Sequence, residues 1–167
     1  GESVEGRAIH HLTVGRGVMP VLLWSQMHGD EPTATSALVD LLQWITTHRD
    51  DPVVARLLGA LTLHVVPMLN PDGAERFQRR NAQGIDINRD ARMLATPEAR
   101  TLKALYDKVK PMYGFNLHDQ RVGYRAGDSD RGTAIALLSP PYNHAADVND
   151  VRTRAIEVAG VIRTALE

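Results

Sequence analysis

Apolar positions fall in short blocks at 8–14, 21–26, 61–69, 113–117 and 133–138, each of strand length and bounded by polar, Gly or Pro residues. Between them the apolar period lengthens to that of a helix. Residues 32–47 place Leu38, Leu41, Leu42 and Ile45 on one face behind Pro32, whose missing N–H costs little in a first turn. Asp30 or Glu31 is expected to cap this helix. A second helix is predicted over 97–109, with Thr96 as N-cap and Pro97 as its first residue, and a third over 145–166. Strands alternating with helices predict an α/β fold, three layers α/β/α around a mixed, mainly parallel sheet.

Residues 81–93 and 121–131 are polar, contain Gly and lack a periodic apolar face, so both are expected as long ordered loops. In open α/β sheets the ligand crevice lies beyond the carboxyl ends of the strands. His28, Asn70 and His118 each directly follow a strand-like block, which predicts three polar groups on one rim.

Composition narrows the chemistry. With 167 residues, 43% of them hydrophobic, the chain suits one domain over 1–167 with a sizeable core. Nineteen Lys plus Arg against 20 Asp plus Glu give a formal charge of −1. That balance argues against nucleic acid as a partner, which would require a basic surface. There are no cysteines, so disulfides, thiolate zinc sites and a Cys nucleophile are excluded, and any metal must use His, Asp or Glu. No apolar run approaches the roughly 20 residues of a membrane span, and no membrane partner is expected. Gly1 opens no charged-then-apolar leader, yet the absence of an initiating Met leaves upstream sequence, and so the compartment, open.

His28-Gly29-Asp30-Glu31 sits where a strand gives way to a helix. A histidine and a carboxylate three residues apart can converge on one cation there if the glycine permits a sharp turn. Short matches of this kind are common by chance. His118 closes its own apolar block in the same way, so a parallel sheet could bring it beside Glu31. Two His and one Glu leave a fourth zinc position free, the catalytic arrangement rather than the structural one. Such a metal lowers the pKa of bound water to about 7 and polarises a carbonyl, which favours hydrolysis. Between these segments lie Asn70-Pro71-Asp72-Gly73, then Arg76, Arg79 and Arg80, then Asp86-Ile87-Asn88-Arg89. An Arg beside an Asn can hold a carboxylate, and another Arg near a metal can stabilise an oxyanion. Together they describe a substrate with a free carboxyl group.

The set His28-x-x-Glu31, Asn70-Pro71-Asp72-Gly73, Arg79-x-Asn81, Asp86-x-Asn88-Arg89 and His118 resembles the zinc carboxypeptidases, over about residues 4–118 and more loosely beyond. The resemblance implies Zn2+ held by His28, Glu31 and His118, with Arg79 polarising the scissile carbonyl and Arg80 as its alternative. It further implies Asn88 and Arg89 on the substrate carboxylate, and Asp86 hydrogen-bonded to His28. For Asp72 and Gly73 the expected job is turn formation. The implied activity is removal of C-terminal residues from peptides. Two alternatives stay open: hydrolysis of acylated amino acids, as in succinylglutamate desuccinylase or aspartoacylase, and a metal-binding module without turnover.

The resemblance also has a gap. Family members carry a general-base glutamate on a late strand, preceded by a mobile tyrosine. Beyond His118 this chain offers Glu157, in the helical pattern 145–166, and Glu167 directly after it, and neither Tyr124 nor Tyr142 sits in a matching motif. The base is therefore assigned to no residue, and the chain is expected to be part of a longer enzyme. Other histidines have simpler readings. His64 is expected as a hydrogen-bonded sheet residue, His48 as a helix end, and His10 and His11 on opposite faces of a strand. His144 with Asp147 is expected to cap a helix.

Overall fold

The computed structural model describes residues 1–120 and 123–166, arranged as two compact units, Gly1–Asp119 and Gln120–Glu167. In the first, β1 (Leu12–Gly15), β2 (Met19–Ser25), β3 (Leu61–Val66) and β4 (Tyr113–Leu117) form one sheet in the order β1-β3-β2-β4. β2 is parallel to both β3 and β4, and β1 is antiparallel to β3. The helices are α1 (Thr33–Thr47), α2 (Pro52–Ala60), the short α3 (Pro71–Glu75) and α4 (Pro97–Val109).

Alternation along the strands divides the core in two. Val21, Leu63 and Val65 face Leu38 and Ile45 of α1 and Val54 of α2. On the opposite face Val66 and Trp24 pack with Ala99, Leu102 and Leu105 of α4, together with Ile9, Met27, Leu69 and Ile87. The unit is thus a three-layer α/β/α domain with a mixed, mainly parallel sheet, and the carboxyl ends of β2, β3 and β4 share one rim.

The differences from expectation have local causes. The block 61–69 stops pairing at Val66 because Pro67 has no N–H to donate. The block 8–14 yields only β1 from Leu12 onward; Ala8 instead bridges Glu2. Neither Asp30 nor Glu31 caps α1. Its N-cap residue is Pro32, with no side-chain cap, and Asp119 accepts from Thr33 N at 3.2 Å and from Thr33 Oγ1 at 2.9 Å. α2 was not anticipated, although Asp51-Pro52 signals it: the Asp51 side chain accepts from Val53 N at 2.7 Å, with Pro52 as the first residue. Thr96 caps α4, accepting from Ala99 N at 3.1 Å.

In the second unit the block 133–138 does not form a strand. Pairing there is confined to the isolated bridge Arg125–Gly132 and the Thr133 N to Tyr124 O bond of 2.8 Å. The remaining residues of the block have no ladder to join among the described residues. Helix α5 (Asp150–Leu166) begins five residues later than expected. Ala146 has φ 58°, outside helical space, in a turn where Asn143 Oδ1 accepts from Asp147 N at 3.1 Å. Arg121 and Val122 of the expected loop, and Glu167, lie outside the described residues. No helix among those described is long and apolar enough to cross a membrane.

Candidate metal centre

β2 ends at Ser25, and the chain turns out of the sheet at Gln26, whose φ is 48°. That left-handed conformation is uncommon for a residue with a side chain. The buried Gln26 amide steadies it, Nε2 donating to the Gly29 carbonyl at 2.9 Å while Oε1 accepts from Thr35 Oγ1 at 2.7 Å. Gly29 is needed for close approach rather than for a left-handed turn: a Cβ there would lie 2.0 Å from the Gly73 carbonyl carbon.

The turn sets His28 beside Glu31, and β4 delivers His118 to the same point. Glu31 Oε1 lies 2.9 Å from His28 Nδ1, and Glu31 Oε2 lies 2.7 Å from His118 Nδ1. The two imidazole centroids are 4.7 Å apart. One donor atom from each residue falls within 4.8 Å of the other two, a span that one ion with bonds of about 2.0–2.2 Å can bridge. His28 is buried, Glu31 half-buried and His118 exposed, so the cluster opens on its His118 side. Burial raises the Glu31 carboxyl, but hydrogen bonds and charge from His118 and His28 outweigh it and hold the group below its ordinary value.

Asp86 organises the next layer. Its Oδ1 accepts from the Asn88 amide at 3.0 Å and lies 3.1 Å from His28 Nε2, turning His28 Nδ1 toward Glu31. Its Oδ2 takes Arg79 Nε and Nη2 at 3.1 and 2.9 Å. Burial raises this carboxyl too, and Arg79, followed by His28, brings it below its ordinary value. Arg79 Nη1 projects into the cluster, 3.1 Å from His28 Nδ1 and 3.6 Å from Glu31 Oε1. Arg80 turns away and donates to the Gly84 carbonyl at 2.8 Å. Asn88 Nδ2 lies 3.4 Å from His118 Nε2, and its Oδ1 accepts from Asn116 Nδ2 at 3.3 Å. Arg89 is exposed, and its Nη1 donates to the Asn88 carbonyl at 3.1 Å.

A buried polar scaffold beneath these residues escaped the sequence reading. Asn70 caps α3, its Oδ1 accepting from Gly73 N at 2.9 Å. Asn81 Oδ1 accepts from the amides of Gln83 and Ile85 at 3.0 Å each, and its Nδ2 donates to Glu98 Oε2 at 3.1 Å. Asp72 does more than shape a turn, accepting from Ser3 Oγ, the Glu5 amide and Arg7 Nη1. Asp119, which caps α1 one residue after His118, was also missed. Glu157 lies within α5 of the second unit.

The zinc carboxypeptidase family matches residues 1–153, and the chain belongs to that family of metallopeptidases, whose members use Zn2+. It is 31% identical to mouse carboxypeptidase M over 107 residues, 54% of this chain and 24% of that protein. It is 33% identical to carboxypeptidase 2 of Trichophyton rubrum, covering 63% of this chain and 20% of that one. The metallo-carboxypeptidase of Pseudomonas aeruginosa, solved with (2-guanidinoethylmercapto)succinic acid, superposes with a TM-score of 0.66 at 29% identity, over 72% of this chain and 34% of that chain. The chain therefore spans less than a quarter of those curated relatives and about a third of that solved structure.

Proposed function

We propose that this chain carries the zinc and carbonyl-binding part of a metallocarboxypeptidase that removes C-terminal residues from peptides. The observation behind this reading is the convergence of His28, Glu31 and His118 beside the Asp86-held Arg79. In it, His28, Glu31 and His118 hold Zn2+. Bound there, zinc supplies Lewis-acid polarisation of a carbonyl and an acidified water. Arg79 has two of its nitrogens fixed on Asp86 and its Nη1 directed into the cluster beside His28 and Glu31, where it meets the negative charge that develops on the scissile carbonyl oxygen. Asn88 and Arg89, adjacent on the turn Ile87–Arg89, offer an amide and a guanidinium to the substrate's terminal carboxylate. The succinic acid ligand of the Pseudomonas relative, which carries carboxyl groups, is consistent with that assignment.

Metal analysis and kinetics test the two halves separately. Purified protein is expected to hold one zinc per chain, lost in Glu31→Ala and His118→Ala; full retention in both would reject the ligand set. On the protein as encoded in full, Arg89→Ala should impair substrates with a free carboxylate far more than their amides. Equal losses would remove the clamp, and turnover of N-acyl amino acids in place of blocked dipeptides would replace the peptidase reading with the amidohydrolase one.

A further inference from the structure

The sequence treats His11 and His64 as separate, unremarkable residues, but the sheet joins them. In the antiparallel β1–β3 register Thr13 faces His64. The two-residue period puts His11 on the same side as Thr13. His11 Nε2 lies 3.0 Å from His64 Nδ1, and Thr13 Oγ1 lies 3.3 Å from the first and 3.4 Å from the second. The rings stack with centroids 5.2 Å apart and an interplanar angle of 20°. Three atoms able to offer lone pairs therefore form one small triangle.

Hydrogen bonding can serve this triangle with one imidazole N–H and the Thr13 hydroxyl, but only one proton can lie between the two facing nitrogens. A metal ion uses both lone pairs: two bonds of about 2.1 Å meeting at a right angle end about 3.0 Å apart. Burial, then the charges of His64 and Lys108 around His11, and burial followed by Lys108 around His64, hold both imidazoles below their ordinary pKa. Both are thus biased toward the neutral form that offers a lone pair to a metal.

We infer that His11 and His64 form a second metal site, independent of the His28 cluster and suited to a transition-metal ion with imidazole preference, copper(II) above nickel(II). That order follows the Irving–Williams series, and two neutral nitrogens discriminate against magnesium and calcium. The Thr13 hydroxyl adjoins the ion, and the exposed side of His11 leaves the remaining positions to water. Lys108 on α4 is the opposing charge common to both rings.

The test is copper(II) titration of the full chain, read by calorimetry and by the nitrogen couplings of the copper electron paramagnetic resonance spectrum. With the His28 cluster disabled by His118→Ala, one copper with two-nitrogen coupling is expected to remain. Adding His11→Ala, at an exposed position, should remove it, as should His64→Gln. Lys108→Ala should tighten it. The inference is overturned if no copper binds in His118→Ala, or if the bound copper keeps its affinity and couplings when His11 and His64 are replaced.

Discussion

Asp72 has a fully buried carboxylate, and its three partners, Ser3, Glu5 and Arg7, lie 69, 67 and 65 residues away in sequence. Burial alone raises its pKa, but the hydrogen bonds from Ser3, Arg7 and the Glu5 amide outweigh this and bring it below the ordinary carboxylate value. A carboxyl depressed in the folded state adds stability above its unfolded pKa, and that stability fades as pH falls through the lower folded value. Asp72→Asn should therefore destabilise the protein by about 2–3 kcal/mol near neutral pH, through loss of charge-assisted hydrogen bonds, and by less in acid. Urea melts across pH 3–7 would show the gap closing; a constant gap would mean that the charge is immaterial. The Pro-Asp-Gly pattern exposes only the local role of this residue. Its buried role depends on partners that no short window contains. Arg79 differs, because the resemblance to the zinc carboxypeptidases points to it through its place two residues before Asn81, with Arg80 as the alternative, and the structure turns the Arg79 side chain toward His28 and Glu31 while Arg80 faces the loop.

Elements were legible where period and punctuation agree. β4 spans 113–117 as the apolar block predicts, and Thr96-Pro97 marks the start of α4. They were illegible where a distant partner decides: the block 133–138 has strand composition, yet composition cannot supply a neighbouring ladder. The cap of α1 is a similar case. Asp119 reaches across 86 residues to Thr33, and its own amide donates to Glu31 Oε2 at 3.4 Å, tying the end of β4 to the helix that follows Glu31. Asp119→Ala should cost about 1 kcal/mol as a lost cap. If the tie also orients His118 against Glu31, zinc affinity should fall about 10-fold or more, as it does when outer hydrogen bonds of ligands are removed. Thermal melts of the metal-free protein read the first effect and competition with a zinc-binding dye the second. An unchanged affinity would confine Asp119 to capping.

Across the first unit as a whole, the proposed zinc ligands join three places that the chain brings together late: the exit of β2, the entrance of α1 and the end of β4, with His118 87 residues beyond Glu31. Around the ligands, Asp86 and Arg79 pair through charge-assisted bonds, and the buried hydrogen bonds of Asn70, Asp72 and Asn81 hold the frame without using the ligand atoms. Zinc should therefore act as a stabilising cross-link rather than as a condition for folding. At a free zinc concentration 100 times the dissociation constant, binding to the folded state alone contributes about 2.7 kcal/mol, or about 5–10 °C in Tm for a chain of this size. Chelation should lower Tm by that amount while leaving the far-ultraviolet circular dichroism at 25 °C unchanged, and Glu31→Ala should abolish the difference between chelated and zinc-loaded samples. Unfolding on chelation at 25 °C would show that the buried polar frame is insufficient without metal. An equal zinc shift in Glu31→Ala would place the stabilising ion elsewhere on the molecule.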